Sequence, residues 1–334
     1  MNKCVFVTGG SGFIGSAVVR LLLATTDFTI VNIDKLSYAA NPLALKAVEG
    51  DCRYRFKQQD IVDELELHSL FTQYQPQYVM HLAAESHVDR SINSAAPFIQ
   101  SNIVGTFSLL EACRKYWAQL SIQQQQMFRL LHVSTDEVYG DIPLAANAAT
   151  EQTAYHPSSP YSASKAASDH LVQAWQRTYG LPVLITHCTN NYGPFQHQEK
   201  LIPLVINRAL EGQPLPIYGD GQQIRDWLFV EDHAKALLTV LQKGTVGESY
   251  NISANNQLTN LEVVSIICHE LDKLIPASKM GINHYNELIT FVADRPGHDR
   301  RYALDATKIS QQLGWQPRTS FTEGIVKTIT AYLP

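Results

Sequence analysis

The sequence predicts a doubly wound α/β fold, in which helices cover both faces of a parallel β-sheet, followed by a smaller C-terminal α/β lobe. Three observations support this prediction. Strand-like and helix-like segments alternate through the first half of the chain, a glycine-rich turn joins the first strand to the first helix, and proline and glycine become concentrated after Asn190. Repeated strand–helix alternation implies right-handed crossovers, and therefore a parallel sheet that is buried on both faces.

The predicted strands are short and apolar, and the predicted helices carry apolar residues at helical spacing. Strands are predicted at 3–8, 28–34, 54–60, 78–84, 129–135 and 182–187. Helices are predicted at 13–24, 63–74, 97–117 and 161–179. We assign 1–188 to the main domain and 189–334 mostly to the second lobe, and we expect segments near 225–252 to return to the main domain. The glutamine run at 123–126 is expected to be a solvated loop.

The composition is that of an ordinary soluble globular chain and argues against several classes of protein. The 334 residues are 45% hydrophobic and 17% charged, with a formal net charge of −5. A mildly acidic chain has no electrostatic footprint for nucleic acid, and no apolar run is long enough to span a membrane. The five cysteines are scattered and odd in number, which favours reduced thiols in the cytoplasm, and the histidines form no HExxH motif. We therefore predict a cytoplasmic protein without a metal site.

The first chemical signal is the glycine-rich turn VTGGSGFIGS at 7–16. Gly9, Gly12 and Gly15 stand directly after a strand and at the start of a helix. Glycine permits the tight turn and lets backbone N–H groups approach a pyrophosphate at the positive end of the helix. Asp34 ends the next strand, where a carboxylate can bind an adenosine ribose and repel a 2′-phosphate. The pattern predicts a Rossmann-like site for NAD rather than NADP; the alternative is a plain strand–helix turn followed by a capping aspartate.

The second signal is the pair Tyr161 and Lys165 in YSASK, which share one face of a predicted helix because they are four residues apart. An ammonium near a phenol lowers the pKa of the phenol, which would give an acid or base that works near neutral pH. On its own, such a pair is also typical of a partly exposed helix face. A Ser-His-Asp hydrolase fits less well, because the chain contains no GxSxG motif.

The third signal is a pair of adjacent acids, Asp136 and Glu137, directly after the strand that ends in Ser134 and Thr135. Two like charges side by side repel each other, and a strand end does not need them for folding. Their repulsion separates their proton affinities, so that one carboxyl group could act as an acid and the other as a base. The alternative is a helix-capping aspartate followed by a solvated glutamate.

Together these motifs resemble the extended short-chain dehydrogenase/reductase family, and longer segments resemble its nucleotide-sugar 4,6-dehydratases. The matching segments are HLAAESHVDRS at 81–91, STDEVYG at 134–140, NNYGP at 190–194, YGDGQQIRDWLFVEDHA at 218–234 and DRPGHDRRYA at 294–303. The resemblance implies a tightly held NAD, dTDP-glucose as the substrate, and a homodimer built on the helices at 97–117 and 161–179. It also implies a reaction in which C4 of the hexose is oxidised, water is lost across C5 and C6, and hydride returns to C6.

The same resemblance assigns roles to individual residues. Tyr161 would take the proton of the 4-hydroxyl beside Thr135 and Lys165, Asp136 would protonate the C6 oxygen, and Glu137 would remove the C5 proton. Cofactor contacts are expected at Gly9, Gly12, Phe13, Ile14, Gly15, Asp34, Lys35, Leu36, Ser37, Asp60, Ile61, Leu82, Ala83, Ala84, Ser86, Ser101, Tyr161, Lys165 and Asn191. Substrate contacts are expected at Ser86, Thr135, Asn190, Lys200, Leu201, Pro216, Ile217, Tyr218, Arg225, Asn260, Asp294, Arg295 and His298.

Other interpretations stay open at this point. A UDP-galactose 4-epimerase would share the glycines and the Tyr161–Lys165 pair, but it would not need the acid pair. A GDP-mannose 4,6-dehydratase would carry serine in place of Asp136 and prefer NADP. A non-catalytic NAD-binding protein would tend to lose the tyrosine, the lysine or the acids. The sequence does not separate thymidine from uridine, because one methyl group in a pocket changes affinity by only ~1–3 kcal/mol.

Overall fold

A computed structural model describes residues 3–294 and 296–333 of the chain. The strands are β1 (Cys4–Thr8), β2 (Thr29–Asp34), β3 (Tyr54–Gln58), β4 (Tyr78–His81), β5 (Arg129–Thr135), β6 (Val183–Cys188), β7 (Asn190–Tyr192), β8 (Leu215–Tyr218), β9 (Ile224–Phe229), β10 (Ser249–Ile252), β11 (Gln257–Thr259) and β12 (Ile289–Val292). The helices are α1 (Phe13–Thr25), α2 (Glu64–Tyr74), α3 (Val88–Asn93), α4 (Ala96–Phe98), α5 (Gly105–Ala118), α6 (Ile122–Met127), α7 (Pro160–Tyr179), α8 (Leu201–Leu210), α9 (Val230–Lys243), α10 (Asn260–Leu274), α11 (Thr307–Leu313) and α12 (Phe321–Tyr332). Short 3-10 helices span Pro42–Val48, Asp136–Tyr139, Ala277–Met280 and Tyr285–Leu288, and a π-helical turn spans Ile99–Val104.

A seven-stranded parallel sheet with the order β10-β6-β5-β4-β1-β2-β3 forms the main body, which confirms the predicted doubly wound α/β fold. The strand order reverses between β1 and β4, because β2 and β3 lie on one side of β1 while β4 to β6 lie on the other. Ligands of open α/β sheets bind in the crevice at such a switch point, beyond the carboxyl ends of the strands. The topology therefore places the glycine turn after β1 beside the ends of β4 and β5.

Two hydrophobic layers cover the sheet, one on each face. Leu22 of α1 and Leu237 of α9 are buried in the layer on one face, and Leu109 of α5 and Val172 of α7 are buried in the layer on the other. Burial of apolar side chains on both faces explains why the strands read as continuous apolar runs. Phe107 on α5 is 41% exposed. An apolar side chain is thus accessible on one of the two helices predicted to form the subunit interface. The homodimer itself stays a prediction.

The second lobe has its own hydrophobic core. Helices α8, α10 and α12 supply buried residues to it, as do the β8–β12 pair and the small sheet of β7, β9 and β11. The segment near 225–252 is divided between the two bodies: β9 belongs to the small sheet, whereas β10 lies at the edge of the large sheet beside β6. The chain therefore crosses between the two bodies on the side where the strands of the large sheet end.

Two elements differ from the sequence prediction. The run at 123–126 is helical, as part of α6, because Ser121 and Gln124 form a capping box that starts the helix. Since this helix has no apolar stripe, hydrophobic periodicity could not detect it. The predicted helix at 97–117 is interrupted by the π-helical turn at Ile99–Val104, a local irregularity that is frequent at functional sites.

Within residues 3–294 and 296–333, no helix is long and apolar enough to cross a membrane. In the same residues, no group of three or more His, Cys, Asp or Glu side chains is placed to hold a metal ion. The cysteines are free thiols, and burial raises the pKa of Cys4 and of Cys268 to about 12. At neutral pH these two thiols are therefore protonated and poorly nucleophilic.

Candidate active site

A cavity of about 270 Å³ opens where the large parallel strands end. The glycine turn after β1 lines it, and so do Tyr161 and Lys165 of α7. Thr135, Asp136 and Glu137, which follow the end of β5, line the cavity as well. The three signals found in the sequence thus converge on one site at the switch point of the sheet.

The glycine turn lies so close to neighbouring backbone that side chains do not fit at Gly9 or Gly15. Gly9 has a φ of +72°, and a Cβ atom there would lie 2.7 Å from the backbone of Ala83. A Cβ atom on Gly15 would collide with the carbonyl oxygen of Gly9. Gly12 is the N-cap of α1 and has no side chain to occupy the first-turn N–H groups, which are therefore left for an anionic ligand.

We expect Gly15→Ala to weaken NAD binding about tenfold or more. A distortion of the turn that costs about 1.4 kcal/mol of binding free energy is enough to lower the affinity tenfold. Isothermal titration of the purified protein with NAD measures the effect. Gly50→Ala is the matched control, since a Cβ atom at Gly50 meets nothing within 4 Å. Equal NAD affinity for Gly15→Ala and Gly50→Ala would contradict the role of the turn.

Asp34 is held in place at the end of β2 by two backbone N–H groups. Ser11 N donates to Oδ2 over 2.9 Å, and Leu36 N donates to Oδ1 over 2.8 Å. Burial raises the pKa of Asp34, and these two hydrogen bonds oppose the rise. The side chain of Leu36 lies outside the cavity lining and is 37% exposed, so this predicted contact residue acts here through its backbone N–H group.

The loop after β4 is fixed to α7 by a buried amide. Asn102, in the π-helical turn, accepts a hydrogen bond from Glu85 N over 2.8 Å and donates to Glu85 O over 3.0 Å. The same amide donates to Ser164 Oγ over 2.9 Å. This arrangement presents Leu82, Ala83, Ala84 and Ser86, together with Ser101, to the cavity.

Tyr161 and Lys165 are both buried in the cavity wall. Lys165 Nζ donates to the carbonyl of Val133 over 2.9 Å. Burial raises the pKa of Tyr161 well above its ordinary value, the charge of Glu137 adds to the rise, and a hydrogen bond with Thr135 opposes it. Burial dominates the pKa of Tyr161 in the protein alone, and the expectation that the ammonium of Lys165 lowers this pKa stays a prediction.

The two adjacent acids have different surroundings. Thr135 Oγ1 donates to Asp136 Oδ1 over 3.1 Å and accepts from Glu137 N over 3.3 Å, which starts the 3-10 helix at Asp136–Tyr139. Asp136 is 3% exposed, and burial followed by the charge of Glu137 raises its pKa well above the ordinary value. Glu137 is less buried. The site thus holds one carboxyl group that favours its protonated form next to one that meets more solvent.

The predicted substrate residues fall into two groups. Ser86, Asn190 and Lys200 line the cavity, and Lys200 Nζ donates to Ser86 O over 3.1 Å. Leu201, Pro216, Ile217, Tyr218, Arg225, Asn260, Asp294 and His298 lie outside the cavity lining, on or near the second lobe. Arg295 lies outside the described residues.

Part of this second group is brought together by the pairing of β8 with β12. His298 Nδ1 lies 2.6 Å from Asp294 Oδ1, and the rings of His298 and Tyr218 meet edge to face at 6.4 Å. Ile217 is 1% exposed and belongs to the lobe core, so its side chain is not available to a ligand. Arg225 packs over Tyr302 at 4.2 Å and donates to Asp299 O over 2.9 Å.

Several residues of the cavity wall were not predicted from the sequence. They are Ile33, Ala39, Ala40, Gln59, Val133, Ser134, Cys188, Thr189, Gln196 and His197. Ile33, Gln59 and Cys188 lie at or next to strand ends, and this position could have identified them. Gln196 and His197 lie in the loop after β7, which carries no periodic or motif signal.

Comparisons with known proteins agree on one family. A family model described as GDP-mannose 4,6 dehydratase matches residues 6–328. The chain is 60% identical over 329 residues to a dTDP-glucose 4,6-dehydratase of Haemophilus influenzae, covering 98% of this chain and 97% of that protein. DesIV, a dTDP-glucose 4,6-dehydratase from Streptomyces venezuelae solved with NAD bound, superposes with a TM-score of 0.89 at 42% identity, covering 99% of this chain and 97% of that one. A UDP-glucose 4-epimerase from Thermotoga maritima gives a TM-score of 0.85 at 29% identity, covering 99% and 98% of the two chains, so epimerases share the fold.

Proposed function

The chain belongs to the GDP-mannose 4,6 dehydratase family, and we propose that it converts dTDP-glucose to dTDP-4-dehydro-6-deoxy-glucose and water with NAD as its cofactor. The observation that carries this proposal is that Asp136, Glu137 and Tyr161 line the same cavity. Elimination needs an acid and a base in addition to the tyrosine that takes the hydroxyl proton, whereas epimerisation does not need this pair. The relative from Haemophilus influenzae, 60% identical over nearly the whole chain, is a dTDP-glucose 4,6-dehydratase.

The part of the cavity around the glycine turn fits a dinucleotide. Gly9 and Gly15 allow a turn too tight for a Cβ atom, and the Asp34 carboxylate lines the same cavity, where a ribose diol could donate to it. Its negative charge would repel a 2′-phosphate, which favours NAD over NADP. When bound, NAD supplies the redox chemistry, taking up hydride from C4 of the hexose and giving it back at C6.

Tyr161 is proposed as the base that removes the proton of the 4-hydroxyl. Its hydrogen bond with Thr135 favours the phenolate that must form, and Thr135 is placed to orient the same hydroxyl. Lys165 brings a positive charge to the same wall of the cavity. These groups lower the barrier to oxidation by holding the hydroxyl in line and by taking its proton at the moment of transfer.

The acid pair is proposed to carry out the elimination. Oxidation at C4 acidifies the C5 proton, which Glu137 accepts as a carboxylate. Asp136 is kept protonated by burial and donates its proton to the C6 oxygen, which leaves as water. Glu137 then returns its proton to C5 when hydride reaches C6. The difference in burial between the two acids is what separates their roles.

We propose that the nucleotide end of the substrate extends from the cavity towards the second lobe. Ser86, Asn190 and Lys200 lie where the sugar and diphosphate would leave the cavity. Tyr218, Asp294 and His298 form a polar cluster on the second lobe that would receive the nucleoside. The guanidinium of Arg225, already oriented by Tyr302, suits the diphosphate.

The experiment that tests this function is mass spectrometry of the sugar nucleotide after incubating the protein with dTDP-glucose and substoichiometric NAD. We expect complete conversion to a product lighter by one water, without net accumulation of NADH. An unchanged mass together with dTDP-galactose would instead establish an epimerase. If dTDP-glucose does not react, UDP-glucose and GDP-mannose are tested next, and inertness towards all three would refute an enzymatic role.

A further inference from the structure

A fully buried carboxylate lies on α7 beyond Tyr161 and Lys165 and outside the cavity lining, so neither cofactor nor substrate is expected to reach it. Asp169 is 0% exposed, although it lies one helical turn after Lys165 and two turns after Tyr161. An ionised carboxylate without partners would be very costly in such surroundings. The reaction proposed above assigns no role to Asp169, although burying its carboxylate requires partners.

The partners of Asp169 come from two neighbouring strands. Ser134 on β5 donates to Oδ2 over 2.8 Å. His132, also on β5, places Nε2 at 3.1 Å from Oδ1, and His187 on β6 places Nε2 at 3.3 Å from Oδ2. Tyr155 lies behind His187, with its hydroxyl 2.8 Å from Nε2. Oδ2 of Asp169 is thus hydrogen-bonded by side chains of the sheet, and Oδ1 faces the imidazole of His132.

This cluster is connected to Lys165. The Nε2 atom of His132 that lies 3.1 Å from Asp169 Oδ1 also lies 3.5 Å from Lys165 Nζ, so one edge of this imidazole neighbours both the carboxylate and the ammonium. Lys165 is 4% exposed, and it also donates a hydrogen bond to the neutral carbonyl of Val133. A buried ammonium of this kind requires a nearby negative charge.

The protonation states agree with this arrangement. Burial would raise the pKa of Asp169, but the hydrogen bonds with His132 and His187 outweigh it and lower the pKa far below its ordinary value. Burial, followed by the charge of Lys165, lowers the pKa of His132 to about 4, so this imidazole is neutral near pH 7. Burial lowers the pKa of Lys165, and the charge of Asp169 opposes that fall.

We propose that Asp169 is a positioning residue for the reaction proposed above: its buried carboxylate holds Lys165 in the ammonium form and orients the His132 ring that lies against Lys165. The proposal rests on the proposed function only in what the ammonium is used for. Other titratable groups also act on Lys165, namely His132 on β5, Cys188 at the end of β6 and His81 on β4. Among these, Asp169 supplies the negative charge near neutral pH, because His81 and His132 are held neutral and the pKa of Cys188 is raised by burial.

The direct test measures the pKa of Lys165 in the protein alone. Lysine labelled with ¹³C at Cε is followed by NMR against pH, and Lys165→Met assigns the signal. We expect Asp169→Asn to lower the titration midpoint of Lys165 by about one pH unit or more, because an opposite charge at close range shifts a pKa by about one to three units. This readout needs no substrate, so it stands or falls separately from the proposed reaction.

The pH profile of turnover gives the second readout. Lys165 acts as an ammonium, so activity falls as pH rises through its pKa, and Asp169→Asn is expected to move that fall to lower pH. In a Lys165→Arg background the same substitution is expected to cause no shift, because a guanidinium stays charged over the whole range. Asp169→Glu keeps the charge and is expected to restore the wild-type profile.

Asp232→Asn is the matched control for loss of a buried carboxylate. Asp232 is 1% exposed and accepts hydrogen bonds from Arg318 N over 2.9 Å and Thr319 N over 2.7 Å. We expect this variant to lose stability without any change in the Lys165 titration. Asp169→Ser serves as a second neutral variant if Asp169→Asn does not fold. An unchanged Lys165 midpoint in a folded neutral variant, or an equal shift in the arginine background, would overturn the proposal.

Discussion

Replacing Tyr161 by phenylalanine is expected to lower the rate of C4 oxidation by about 10³-fold, because loss of a positioned acid–base group typically lowers rates by 10²–10⁴-fold. The variant keeps the ring that fills the cavity wall but has no oxygen to take the hydroxyl proton. Rapid mixing of the NAD-loaded protein with dTDP-glucose, followed by the absorbance of the reduced nicotinamide, measures this step directly. Binding of NAD and of dTDP is expected to stay within about threefold of wild type.

Tyr192→Phe is the control for loss of a buried tyrosine hydroxyl. Tyr192 is 1% exposed, and its hydroxyl donates to Phe321 O over 3.2 Å in the core of the second lobe. We expect it to lose about 1 kcal/mol of stability and to oxidise the substrate at the normal rate. If Tyr161→Phe reduced the nicotinamide as fast as Tyr192→Phe does, Tyr161 would not be the base.

Glu137→Gln is expected to lower the rate of water elimination by about 10³-fold, while oxidation at C4 continues. An amide cannot accept the C5 proton, yet it is nearly the same size as the carboxylate it replaces. In deuterated water, wild-type product should carry deuterium at C5, because Glu137 exchanges its proton before returning it. The variant should instead accumulate the reduced nicotinamide and leave the C5 proton of the sugar in place, which NMR of the recovered sugar nucleotide reports.

Asp136→Asn separates the two acids. It removes the proton donor for the C6 oxygen but leaves Glu137 able to take the C5 proton, so we expect exchange at C5 to persist while water loss stops. The opposite pattern, with exchange lost in Asp136→Asn and kept in Glu137→Gln, would reverse the two assignments. Full turnover by either variant would remove that acid from the mechanism.

The surroundings of Asp136 and of Asp169 determine how activity depends on pH. Asp136 must carry its proton to act, and burial raises its pKa, so it stays protonated at a pH where an exposed aspartate would be ionised. Activity that depends on Asp136 is therefore present below its raised pKa and falls as pH rises through it. Asp169 behaves in the opposite way, because hydrogen bonds with His132 and His187 hold its pKa low and keep its charge.

Local patterns in the sequence determined the fold class and most of the cofactor end of the cavity. Strand and helix periodicity are set by which side chains must be buried, and the glycines at 9 and 15 are required by a turn too tight for a Cβ atom. The resemblance that the motifs carry also predicted that Asp136, Glu137 and Tyr161 share one site, and all three line the cavity. These features depend on spacing along the chain, which the sequence displays directly.

Only the tertiary structure decided how each of these groups is surrounded. Whether Asp136 is buried, which groups surround Lys165, and whether Ile217 faces a ligand or a core all depend on elements that are distant in the chain. The cluster around Asp169 joins β5, β6 and α7, and no motif in the sequence marks it. Proton affinity is set by desolvation and by charges within a few ångströms, so it becomes readable only when the packing that creates those distances is known.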